Sequence, residues 1–184
     1  MTALTSTSKS GSPLALAIGS QDPTQYLTFM LAGEVFALGI LAVKEIIEYH
    51  SLTVVPMMPD CVRGVINLRG AVVPVMDLLA RFGRSSSEVT KRTCIVIVEV
   101  QTAEQESQVI GVIVDAVNEV LDIAPSDIEP APAFGARIRT DFIQGMGKVK
   151  GKFVILLDAD HVLSLDEITQ LAQTPAPASA LALN

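Results

Sequence analysis

At 184 residues the chain is long enough for one ordinary domain or for two small lobes sharing a core. Apolar residues make up 49% and charged residues 18%, with aromatics at 4% and no tryptophan, so the core must be aliphatic. A net charge of −7 argues against a protein that tracks nucleic-acid phosphates, and no apolar run approaches the ~18 residues that mark a bilayer-spanning helix.

Residues 1–24 are rich in Ser, Thr, Gly and Pro without periodicity and read as a flexible lead-in. Their one apolar patch, Leu14–Ile18, is too short for a signal-peptide core, so a cytoplasmic location is expected. Tyr26–Leu31 and Glu34–Ile40 read as strands joined across Ala32-Gly33 by a tight hairpin. Val43–Tyr49 reads as a short helical turn feeding a strand, and Pro56 and Pro59 mark a break. Arg63–Arg69 and Ala71–Leu78 form a second hairpin around Gly70, in which Pro74 points to an edge strand or a bulge. Leu78–Phe82 is a helical turn stopped by Gly83, and Arg84–Lys91 is a polar linker.

Beyond the linker, Cys94–Val100 is an apolar run broken only at Glu99, the pattern of a strand buried on both faces. Gln108–Val114 pairs with it, Asn118–Ile123 follows, and Ala124–Thr140 is a Pro-punctuated loop. Ile143–Val149 and Lys152–Leu157 form a hairpin around Gly151. Leu165, Ile168, Leu171 and Ala172 fall on one helical face, with Ser164 and Glu167 spaced as a capping box. Residues 173–184 are an Ala/Pro-rich flexible tail.

Two stretches echo each other. Val62–Asp77 and Ile143–Asp158 align without gaps, matching Gly64 with Gly145, Gly70 with Gly151, Arg69 with Lys150 and Asp77 with Asp158. At a shorter offset, Glu34–Leu38 meets Gln108–Val112, Val43–Ile47 meets Val117–Leu121, and Pro56 meets Pro130. One β-rich unit is therefore used twice, with extra residues in the second copy before its last hairpin. Short strands with tight turns and few charges to protect an edge favour closed barrels over an open sheet.

Catalytic chemistry finds little support. His50 and His161 lack zinc-ligand spacing, and Cys61 and Cys94 are isolated thiols with no local base, best read as reduced, buried small residues. Gly145, Gly151 and Lys152 have the wrong spacing for a phosphate loop, and Phe153 stands where Ser or Thr would hold magnesium. Asp158, Asp160 and His161 admit an acid-residue hydrolase, but Asp158 echoes Asp77, which has no neighbouring histidine; turn capping is the simpler reading. Met57 and Met58 between two prolines read as core filler or as an adaptable binding surface.

The run Gly64-Val65-Ile66-Asn67-Leu68-Arg69-Gly70, followed by Pro74-Val75 and Asp77-Leu78, resembles the signature of the CheW family, the coupling proteins of bacterial chemotaxis. The likeness extends over about residues 25–172 through Tyr26–Phe29, Val43-x-Glu45-Ile46, Pro56-x-x-Pro59, Val114–Val120 and Leu156–Asp158. It implies an all-β fold of two intertwined five-stranded SH3-like barrels with a C-terminal helix. The first barrel would lie mainly in 25–83 and the second mainly in 92–160, with exchange of strands between them left open.

The resemblance also implies a protein without catalytic residues, metal or cofactor. Such a protein bridges the cytoplasmic tip of a chemoreceptor to the regulatory domain of the chemotaxis histidine kinase, and meets the membrane only through receptors. On the receptor side it points to Val43, Glu45, Gly64, Val65 and Arg69, with Arg69 pairing Glu45 beside a groove. On the kinase side it points to Arg137, Asp141 and Phe142, and by repeat symmetry to Met57 and Arg63. Related coupling proteins serve twitching and other chemosensory pathways, so the system served stays open.

Overall fold

The computed structural model describes residues 22–131 and 138–173. Strands β1 (Thr24–Leu31) and β2 (Glu34–Gly39) form the first hairpin; β3 (Val43–Glu48), β4 (Val62–Leu68) and β5 (Ala71–Asp77) follow, with the helical turn α1 (Leu78–Arg81). The second half runs β6 (Cys94–Gln101), β7 (Ser107–Val114), β8 (Ala116–Ile123), a two-residue β9 (Ile128–Glu129), β10 (Ile143–Val149) and β11 (Lys152–Leu157). Two helices, α2 (Ala159–Val162) and α3 (Leu165–Gln173), close the described chain. The side chains of Leu171 and Ala172, expected on the buried face of α3, lie outside the described residues, as does Arg137.

The sheets do not coincide with the halves of the sequence. One has the order β8-β1-β2-β11-β10-β9 and the other β3-β6-β7-β5-β4. Each half lends its first hairpin to the other: β1–β2 is flanked by strands of the second half, and β6–β7 by strands of the first. The registers are duplicated. Val75 lies opposite Gly111 in the parallel β5–β7 pair, and its repeat mate Leu156 lies opposite Ala37 in β11–β2. A bulge interrupts β3–β6 between Val43 and Glu45, and another interrupts β1–β8 between Leu27 and Phe29.

This exchange creates three apolar clusters of unequal size. Leu27, Phe29, Leu31, Phe36 and Leu38 face Val96, Val98, Val100, Ile110, Val112 and Val114 in the largest, a core lying between the lobes. Each sheet also curls around a small core of its own: Tyr26, Ala37, Ile123, Val154 and Leu156 in one, Ile66, Val73, Val75, Ile95 and Ile97 in the other. Strands β1, β2, β6 and β7 serve two cores at once, which is why Cys94–Val98 is apolar without alternation.

Local details follow from residue chemistry. The hairpins turn on Ala32-Gly33, Arg69-Gly70 and Lys150-Gly151, with φ of +49° and +81°, +53° and +86°, and +50° and +77°. Paired positive φ values match the right-handed twist of the strands, and glycine takes the second position without a Cβ penalty. Asp77 accepts from the amides of Leu79 and Ala80 at the start of α1, and Asp158 accepts from His161 N at the start of α2. The matched aspartates are thus helix caps.

Three expectations change. The helical turn expected within Val43–Tyr49 lies earlier, at Ile40–Ala42, and the strand begins directly at Val43. Strand β5 is interior rather than an edge; Pro74 is tolerated because the ladder to β7 begins only at Val75. The loop after β8 contains the short strand β9, which the paired residues Met146 and Gly147 recruit.

Candidate functional site

The bulge at Lys44 brings Glu45 opposite Ile97, a residue of the small core inside the second sheet. Glu45 therefore stands at the mouth of that barrel, with its side chain only 25% exposed. The β4–β5 hairpin tip delivers the countercharge: Arg69 Nη2 lies 2.8 Å from Glu45 Oε2. Asn67 Oδ1 accepts from Gly70 N at 2.9 Å and steadies that tip. Together these groups rim a groove of about 380 Å³, walled by Leu68, Ala71, Val73, Ile97 and Val109. Its chemistry is an apolar slot with the Glu45–Arg69 ion pair and Lys44 on its lip.

The repeat mates differ at this point. Glu119 and Lys150 stand where Glu45 and Arg69 do, but among the described residues no ion pair joins them. Thr28 replaces Ile97 and binds the bulge instead, donating to Glu119 O at 2.7 Å and accepting from Glu119 N at 3.2 Å. The charged lip is thus particular to one lobe.

Gly64 and Val65, expected beside the groove, have another job. Val65 exchanges two backbone hydrogen bonds with Thr53, at 2.8 and 3.0 Å, which brings the segment between β3 and β4 across Gly64. A Cβ on Gly64, whose φ is +155°, would lie 2.5 Å from Thr53 O. Its mate Gly145 has the equivalent neighbour in β9, but there the nearest atom is the Ile128 Cγ2 methyl at 2.6 Å, with Glu129 O at 3.0 Å. Gly64→Ala is expected to destabilise the fold by about 3 kcal/mol. Gly145→Ala should cost less, because a methyl can move and a paired carbonyl cannot; paired thermal denaturation curves check the order. Val43, expected in the same segment, is half-buried against the inter-lobe core and is not among the residues that line the groove.

The residues expected on the kinase side separate. Met57, with φ of +62°, is 98% exposed on the loop between β3 and β4. Arg63 gives both Nε and Nη2 to Asp77 Oδ2, at 3.2 and 3.0 Å, so it is tied to the cap of α1. Asp141 is exposed and pairs with Arg139 at 3.0 Å. Phe142 is 1% exposed, which removes its ring as a direct contact. It packs in the inter-lobe core beside Phe82.

Sequence reasoning missed Arg81 and Arg139. Their guanidinium carbons lie 4.5 and 4.8 Å from the Phe142 ring centroid, and both arginines reach Glu167 on α3. Nothing in local spacing announces a cluster whose members come from three separate segments.

The candidate acid cluster also resolves into structure. Asp158 Oδ2 lies 2.8 Å from His161 Nδ1, and this hydrogen bond, more than the charge alone, raises the imidazole above its usual range. Asp160 Oδ1 accepts from Gln101 N at 2.9 Å. Both thiols are free, and burial pushes the Cys61 thiol up, away from the reactive thiolate. Among the described residues no three His, Cys, Asp or Glu side chains come together to hold a metal, and no helix is long and apolar enough to cross a membrane.

Comparison with known proteins agrees with the duplicated barrels. The family described as CheW-like domain matches residues 25–167. The chain is 34% identical over 143 residues to a chemotaxis protein CheW of Rhizobium meliloti, covering 78% of this chain and 89% of that protein. It is 32% identical over 144 residues to the chemotaxis protein CheW of Klebsiella aerogenes, covering 78% and 84%. The crystal structure of the scaffolding protein TtCheW from Thermoanaerobacter tengcongensis superposes with a TM-score of 0.68 at 36% identity, covering 76% of this chain and 87% of that one. With its exchanged hairpins and matched caps, the chain belongs to the CheW-like family of chemotaxis scaffold proteins.

Proposed function

We propose that this protein is a non-catalytic cytoplasmic coupling protein that holds the cytoplasmic tip of a chemoreceptor against the regulatory domain of the chemotaxis histidine kinase. The observation that carries the reading is the Glu45–Arg69 pair on the lip of an apolar groove, present on one lobe and unmatched on the other. A receptor tip built as a helical hairpin offers side chains at helical spacing; an apolar slot takes them while the fixed charges select orientation. The kinase side is assigned to the end of the other sheet around Arg139 and Asp141, with the exposed Met57 loop between β3 and β4 as its counterpart on the groove-bearing sheet. Two surfaces of moderate affinity on one rigid body hold both partners together by effective concentration.

The test is assembly rather than turnover. Purified protein mixed with receptor tip and kinase regulatory domain is expected to co-sediment with both and to retain each alone more weakly. Failure to retain either partner would reject the reading.

A further inference from the structure

We infer that α3 is a latch that preorganises the Arg139–Asp141 surface, with Glu167 as the positioning residue joining them. Arg81 and Arg139 both lie against the Phe142 ring, and both aim at the Glu167 carboxylate, Nη1 of Arg139 at 2.9 Å and Nη2 of Arg81 at 3.3 Å. Arg81 is 6% exposed in its side chain; Nε donates to Val162 O at 3.1 Å, but Nη2 makes no well-aligned hydrogen bond. Among the described residues Glu167 is the anion paired with this buried nitrogen, and the second guanidinium on the same ring adds repulsion if that anion leaves.

The helix needs the same contact. Nine residues are too few to hold a helix by backbone bonds alone. Ser164 Oγ accepts from Glu167 N at 3.4 Å, and Ile168 is buried. The Glu167 carboxylate is spent on the arginines. At the other end of the cluster, Arg139 also binds Asp141 at 3.0 Å, and the turn closes with Phe142 N donating to Arg139 O and Asp158 N to Phe142 O. Arg139 and Asp141 remain 54% and 63% exposed in their side chains, so α3 fixes their geometry without covering them. A charged pair held in one arrangement binds a partner with less ordering cost than a free one.

The proposal rests on the functional reading only for the identity of the partner. The experiment compares the full chain with Glu167→Gln by amide hydrogen exchange and by binding to the kinase regulatory domain and to the receptor tip. Exchange at residues 165–170 and at the Phe142 and Asp158 amides is expected to quicken by about tenfold or more while Val98 and Val112 hold their rates. Kinase-domain binding is expected to weaken roughly tenfold with receptor binding unchanged. Faster exchange in α3 with Phe142 and Asp158 unmoved, or uniform acceleration everywhere, overturns the latch. If the unaltered protein fails to bind the kinase domain, the functional reading fails, and the exchange rates still decide the latch.

Discussion

Phe36→Ala is expected to lower the stability of the whole protein by about 3–5 kcal/mol, in one transition rather than two. Phe36 has no exposed surface, and its ring lies 6.3 Å from Phe29 and 5.8 Å from Phe82, which in turn lies 6.2 Å from Phe142. That row runs from the first hairpin to the helical turn after β5 and on to the entrance of β10, so one cavity weakens both lobes. Because each lobe borrows its central hairpin from the other half of the chain, neither has a complete sheet to fall back on. A typical domain has about 5–15 kcal/mol to lose, so the melting point should fall by roughly 10 °C. Phe153→Ala, at a residue 52% exposed, serves as the control and should be nearly neutral. Two resolved unfolding steps, or equal losses for the two variants, would contradict a shared core.

Reversing the charge at Arg69 is expected to weaken receptor-tip binding by roughly tenfold to a hundredfold. Arg69→Glu sets two carboxylates on the groove lip, and Glu45, with its side chain only 25% exposed beside Ile97, keeps no partner there. Folding should hardly change: the Arg69 side chain is 78% exposed, and surface pairs of this kind contribute less than about 1 kcal/mol. The positive φ at position 69 is no harder for glutamate than for arginine, so the hairpin tip keeps its shape. Kinase-domain binding measured on the same sample should be unaffected. Titration showing unchanged affinity for the receptor tip would remove Arg69 from the site.

The contrast between these two residues shows what could be read in advance. The β4–β5 turn, Gly70 and the repeat were visible because hairpin chemistry and self-similarity are local or one-dimensional signals. The likeness to a known family supplied the Glu45–Arg69 partnership, and the bulge at Lys44 supplied its geometry, which no spacing rule could give. Phe142 was misplaced for the opposite reason. The resemblance places it on the kinase side, yet its ring is buried between two guanidiniums, the neighbouring Arg139 and Arg81 from a distant segment. Gly64 and Val65, which the resemblance places on the receptor side, have the chain's own Thr53 as their close neighbour, a contact that no local pattern announces.

By itself the sequence determined an aliphatic, strand-rich, twice-used unit with capped helical turns, because periodicity, turn residues and caps act over a few positions. Only the tertiary structure decided that the halves trade their first hairpins, that the largest core lies between the lobes, and which of two equivalent barrel mouths closes with an ion pair. Those outcomes depend on contacts between residues far apart in the chain, where small differences such as Thr28 in place of Ile97 tip otherwise equivalent surfaces toward different uses.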